Sequence, residues 1–176
     1  DLSVGAYGIV NRVTFFFTMI VLGITQGMQP IVSYNYGARQ YDRVTEALKK
    51  SILLAFITLC IGCIIGEIIP RFTCSLFTND EELLKYSIDG MRIVMCTFPI
   101  ISLPIVIGNF FQSIGKAKKS ILLSLSRQVL FLTPLLLILP NIIGINGVWW
   151  SIPISDFIAT ILAIIMIYRY YKFDSK

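Results

Sequence analysis

Five apolar runs divide the chain: Val13 to Ser33, Ile52 to Ile69, Ile93 to Ile114, Ile121 to Ile143 and Gly147 to Tyr168. Each is close to the roughly 20 residues that carry an α-helix across a bilayer, and about twice the length of a barrel strand. In lipid every backbone polar group must be satisfied within the segment, so runs of this length predict helices. With their flanks they predict spans at about 8–35, 46–69, 88–115, 119–140 and 147–170. The expected fold is an all-α membrane protein, a polytopic bundle of five transmembrane helices.

Punctuation refines that pattern. Pro99 and Pro104 fall inside the third run and predict a kinked or broken helix. Thr78 followed by Glu81 reads as a capping box, and Asp42 as an N-cap, with Glu46 and Lys50 spaced for an i,i+4 pair. Gly23 with Gly27, and Gly62 with Gly66, form GxxxG close-approach signals.

Composition agrees with the pattern: 56% of residues are hydrophobic and 14% charged, against about 25% charged in ordinary soluble domains. The basic residues mark one side. Arg39, Arg43, Lys49 and Lys50 follow the first run, Lys116, Lys118 and Lys119 the third, and Arg169, Lys172 and Lys176 the fifth. The positive-inside rule then puts loops 36–50 and 116–120 and the C-terminus in the cytoplasm, for a multi-pass protein of the cytoplasmic (inner) membrane. The net charge of +5 follows from that topology and calls for no nucleic acid partner. Tyr168, Tyr170 and Tyr171 at one end, and Trp149 and Trp150 at the other, are expected in interfacial belts. The chain opens at Asp1 with no basic segment ahead of a short apolar one, so no signal peptide is expected, and the odd helix number suggests a fragment.

Polar groups inside the runs carry the chemistry. On a helical wheel Asn11, Thr14, Thr18, Thr25 and Gln29 fall within roughly 60° of one another, with Leu22 in the gap. Gln26 and Ser33 flank this stripe. It should meet protein or water rather than lipid, through interhelical hydrogen bonds or along a polar cavity. Pro30, next to Gln29, leaves a carbonyl without its helical donor.

Asp156 is the one acidic residue well inside a run, and Arg127 is its basic counterpart in the helix before. At about 1.5 Å per residue they lie roughly 12 and 13 Å from opposite ends of neighbouring spans, in a core of about 30 Å. Their depths therefore match, and pairing is expected, because either charge alone is costly there. The pair reads either as a structural ion pair or as a protonation or cation site. Arg12 is a second basic group that could reach Asp156, and Glu67 should be solvated.

The chain has no histidine, which excludes His-based metal sites and Ser-His or Cys-His catalysis, and it carries no phosphate-binding or dinucleotide fingerprint. An enzyme is not expected. Cys60 and Cys63 form a CxxC on a spanning helix and, with Cys74 and Cys96, read as small packing residues.

The run GITQGMQPIVSYNYGARQYDRV resembles the end of the eighth helix of multidrug and toxic compound extrusion (MATE) transporters. AYGIVNR, LFTNDEELL, FFQSIGKAKKS, LSRQ and GVWWSIPISD continue the likeness in order. The resemblance implies that residues 1–176 are part of a C-terminal lobe, helices eight to twelve of a two-lobe, twelve-helix antiporter. The seventh helix and the N-terminal lobe would be its partners, with the lipid bilayer around them. Such transporters export small organic cations or drugs by alternating access in exchange for protons or sodium, with no other cofactor. The stripe from Asn11 to Gln29 would line the cleft, Gln26, Gln29 and Pro30 would interrupt its helix, and YNYGARQYDR would be the cytoplasmic exit. One departure stands out: some sodium-coupled relatives have an acidic residue about midway along the tenth helix, and Leu103 to Ile107 contains none, so that cation site is not carried over. A lipid-linked oligosaccharide flippase of the same superfamily, with Arg12 and Arg127 as phosphate contacts, and a non-transporting accessory half-transporter remain alternatives.

Overall fold

A computed structural model describes residues 2–174 of the chain; Lys176, one of the basic C-terminal residues, lies outside them. Every element among the described residues is helical. Helix α1 (Leu2–Gly37) runs 36 residues, and α2 (Tyr41–Ile68) returns beside it. A short α3 (Pro70–Ser75) leads to α4 (Glu81–Met95), and a 3-10 turn (Phe98–Ile101) leads to α5 (Ser102–Ser113). Then come α6 (Ala117–Leu125), a π-helical segment (Ser126–Leu132), α7 (Thr133–Ile143), α8 (Ile145–Arg169) and a closing π-helical turn (Tyr170–Asp174).

Four stretches are long and apolar enough to cross a membrane: Ser3–Gly37, Tyr41–Ile68, Ala117–Ile143 and Asn146–Lys172. Glu81–Met95 and Phe98–Ser113, bent by 54°, make a fifth if taken as one span. The bend sits where the prolines fall. Pro104 cannot donate to the carbonyl of Ile100 four residues back. The Thr160 hydroxyl of α8 lies 3.3 Å from that carbonyl and 2.7 Å from the Asp156 carbonyl, so it serves the broken helix as well as its own.

The core forms where α1 meets α2, the bent pair and α8. Ala6, Val10, Val13, Phe17, Val21, Met28 and Val32 give α1 one buried face at helical spacing. On α8 the buried Ser151, Ser155, Ala159 and Ala163 recur every four residues and let neighbouring backbones come close. Gly62 and Gly66 work the same way on α2: a Cβ there would lie 2.9 Å from the Phe17 ring and 2.8 Å from Met95 Cγ.

Several local expectations are corrected. Gly23 and Gly27 have nothing within 4 Å of an added Cβ, so this GxxxG packs against no described residue. Asp80, not Thr78, caps α4, accepting from the amides of Glu82 and Leu83, while Thr78 accepts from the amide of Asp80. Gln40, not Asp42, precedes α2; Asp42 sits in its first turn, where a carboxylate favours the positive helix end. Glu46 and Lys50 do pair, at 2.7 Å, but both are exposed. Pro30 does not interrupt α1, which ends at Gly37, and α2 begins at Tyr41, so most of the loop expected over 36–50 is helix. Only Ala38, Arg39 and Gln40 separate the helices, Arg39 taking a left-handed φ of 58°.

Two aromatic residues expected in the interfacial belts are core residues instead. Trp149 is buried, with its ring 6.2 Å from that of Tyr7 and lying where Gly90 lacks a side chain. Tyr170 is buried against Phe110 and Phe111, with the Lys116 ammonium 4.7 Å over its ring. Trp150 and Tyr168 remain exposed.

Candidate functional site

Asp156 is 1% exposed, and the small-residue ridge of α8 is what takes it so deep. Arg127 Nε donates to its Oδ1 at 2.7 Å, so the pairing expected from matched depths is present. The second carboxylate oxygen, Oδ2, is buried with no hydrogen-bond partner among the described residues. A polar atom left this way in a dry core is costly, so the space beside it matters.

That space is a cavity of about 270 Å³. Asn11, Thr14 and Thr18 of α1 line it opposite Arg127, Gln128 and Asp156, with Phe98 and Ile101 of the bent span along one side. The Thr14 hydroxyl donates to the Val10 and Asn11 carbonyls, and that of Thr18 to the Thr14 carbonyl. Their oxygens keep lone pairs able to accept from a guest. A second cavity of about 250 Å³ lies toward the end carrying the basic turns, lined by Asn109, Gln112, Ser120 and Ser124 among others. Arg127 and Gln128 line both cavities and form the wall between them.

The wall has a local cause. Pro134 gives no amide to the Leu130 carbonyl, and its ring crowds that carbonyl. Just ahead of it the chain widens to π-helix, with the Thr133 amide bonding back five residues to the Gln128 carbonyl. The Thr133 hydroxyl donates to the same carbonyl at 2.8 Å. Arg127 and Gln128 therefore ride a one-residue excess in the helix, a device common at functional positions.

The stripe on α1 splits into two parts. Its first half, Asn11 to Thr18, opens on the ion-pair cavity. Its second half is tied to α5: Gln29 Nε2 donates to Asn109 Oδ1 at 3.0 Å, and the Ser33 hydroxyl to the Ser113 carbonyl at 2.9 Å. Thr25 is fully buried with its hydroxyl on the Leu22 carbonyl, and Gln26 is exposed; neither lines the ion-pair cavity. Arg12 is exposed and lines neither cavity, so the partner of Asp156 is Arg127. Glu67 is exposed, and all four cysteines are free thiols. Burial pushes the Cys74 thiol, on short α3, up to about 11.

Gln128, Asn109 and Ser113 do not stand out in the sequence. The latter two lie 80 residues beyond Gln29 and Ser33, an offset that acquires meaning only once α1 and α5 are side by side. A double-mutant cycle on Gln29→Ala and Asn109→Ala, read by thermal unfolding of the full-length protein in detergent, is expected to give a coupling of about 0.6 kcal/mol, typical of hydrogen bonds between membrane helices. Strict additivity would mean that the bond contributes nothing to holding the two helices together.

Membrane-length helices around a partly polar cavity, with a half-satisfied carboxylate in its wall, define a polytopic helical membrane protein. The model of the MatE family matches residues 1–138. The chain belongs to that family, one of transporters and not of enzymes. It is 21% identical over 169 residues to the multidrug export protein MepA of Staphylococcus aureus (strain MSSA476), a match covering 96% of this chain and 37% of MepA. It is 42% identical, with a TM-score of 0.86, to a solved structure of the MATE multidrug transporter DinF-BH, covering 96% of this chain and 38% of that one. A mutant form of the Vibrio cholerae MATE transporter VcmN superposes with a TM-score of 0.91 at 16% identity over 99% of this chain and 40% of that one, a likeness of fold. The chain thus spans a little over a third of the length of the relatives it matches.

Proposed function

We propose that this lobe belongs to a cation-coupled exporter of drugs or organic cations that works by alternating access, with protons or sodium as the coupling ion. The remainder of the protein supplies the opposite wall of the cleft, and the basic turns face the cytoplasm. One observation carries the reading: a buried carboxylate with one oxygen paired and the other buried without a partner, in the wall of a cavity that Asn11, Thr14 and Thr18 also line. Such a group has a strong differential affinity for a positive charge between a state that admits water and one that does not. The names of the relatives, multidrug export and multidrug transport proteins, support the substrate class.

In this mechanism Asn11, Thr14 and Thr18 offer neutral acceptors along the cavity, and Arg127 and Asp156 form the charge site. Occupation of Asp156 by the coupling ion shifts the balance between inward-facing and outward-facing states by its differential affinity for the two. The test is efflux of a fluorescent organic cation from proteoliposomes containing the full-length protein, under an imposed proton gradient and then a sodium gradient. One gradient is expected to drive efflux, and Asp156→Asn to reduce it to the level of protein-free liposomes. Undiminished gradient-driven efflux in Asp156→Asn would remove Asp156 from coupling.

A further inference from the structure

The proposed coupling role of Asp156 leaves open how its cation is released, and the wall between the cavities bears on that step. Arg127 already neutralises Asp156. Among the described residues no other acidic side chain lines either cavity, and Tyr7 is the one other titratable group beside the pair. A cation arriving at Oδ2 while Arg127 stays in place would leave two positive charges on one carboxylate within a few ångströms, in a poorly screened interior. The two cations therefore exclude each other.

Arg127 has somewhere to go. Its side chain is 33% exposed, against 1% for Asp156, and it borders the second cavity as well as the first. Asn109, Gln112, Ser120 and Ser124 there offer amide and hydroxyl oxygens but no carboxylate, so they can receive a guanidinium without trapping it. The backbone beneath it carries the π-helical excess. Passing the extra residue of the π-helical segment along the helix turns the side chains it crosses by roughly 100°, one residue's share at 3.6 per turn.

We propose that Arg127 is a tethered competitor for Asp156: a monovalent cation takes the carboxylate by displacing the guanidinium into the second cavity, and the return of Arg127 expels that cation. This inference rests on the coupling role of Asp156 and adds the means of release. No covalent step is involved, and the charge on the carboxylate is balanced in both states by one cation at a time.

The test uses the purified full-length protein and three probes: radioactive sodium binding, tetraphenylphosphonium binding, and proton uptake followed by an indicator dye in weak buffer. Whichever probe binds in an Asp156-dependent manner identifies the cation. Its affinity is expected to rise roughly fivefold or more in Arg127→Gln, the size of an ordinary coupling between two ligands. Unchanged or weaker binding in Arg127→Gln, or no binding of any probe to it, overturns the competition. If Asp156→Asn leaves binding intact, the coupling role itself fails, a result distinguishable from the first.

Should Arg127→Gln fail to fold, Ser124→Cys decides instead. Ser124 is exposed and lines the second cavity. With Arg127 otherwise native, labelling of that cysteine by a positively charged thiosulfonate, read at its own peptide by mass spectrometry, is expected to slow severalfold when the cation is added. An unchanged labelling rate at saturating concentrations of all three probes overturns the proposal.

Discussion

Arg127→Leu is expected to cost the folded protein about 3 kcal/mol or more, because removing one partner of a buried pair leaves an uncompensated charge. Asp156 is 1% exposed and has one oxygen unpartnered already, so losing Nε leaves the whole carboxylate without a donor among the described residues. Asp156→Asn should cost less, about 1–2 kcal/mol. An asparagine oxygen still accepts from Nε, and the Arg127 side chain it would leave is one-third exposed. Thermal unfolding of the full-length protein in detergent, at a fixed cation concentration, measures both. The reverse order would show that desolvation of Arg127, not of Asp156, dominates the pair.

Gly147→Ala should also be severe, at about 3 kcal/mol. A Cβ there would meet backbone, lying 2.6 Å from the Pro140 nitrogen and closer still to the Leu139 carbonyl. Backbone inside a helix has no rotamer to give. The gain in helix propensity of about 1 kcal/mol on leaving glycine does not offset such a clash. Gly66→Ala is the milder comparison: its Cβ would meet Met95 Cγ at 2.8 Å, a side-chain atom that a χ1 shift can move where backbone cannot, so the loss should be smaller, about 1–2 kcal/mol. Comparing the temperature at which each variant aggregates in detergent separates them. Equal behaviour would mean that α7 and α8 can slide apart at no great cost.

Much of the fold is legible in the sequence for one reason. In lipid the backbone must satisfy itself, so apolar length translates directly into a helix, and Pro99 and Pro104 translate into the 54° bend. Matched depth is enough to pair Arg127 with Asp156, because rise per residue is nearly constant along a helix. Composition fails where two environments favour the same residue. Aromatic rings suit both the membrane interface and a tight core, and only the absence of a side chain at Gly90 tells that Trp149 is inside. The stripe on α1 is visible as a stripe, but its division is not, since Asn109 and Ser113 come from a helix whose register the sequence leaves unstated. Caps fail differently: Thr78 and Asp80 are both good cap residues two positions apart, and geometry chooses. The π-helical segment does leave a signal in Pro134, yet a proline in a membrane helix is compatible with a kink, a bulge or neither.

The two bonds from α1 to α5 share one offset and ascend together, from Gln29 to Ser33 and from Asn109 to Ser113. Those helices therefore run the same way there, clamped at two points one helical turn apart. Two points fix an orientation where one would permit a pivot. Above the clamp, from Thr18 toward the start of the chain, α1 has no such tie to α5 among the described hydrogen bonds; there one face packs on α2 and α4 while Asn11, Thr14 and Thr18 border the cavity. The α1–α5 contact is thus pinned by side-chain hydrogen bonds at its basic end and by none of the described ones at the other. Any bending of α1 that keeps both bonds would therefore move the ion-pair cavity end relative to α5 and leave the basic turns in place.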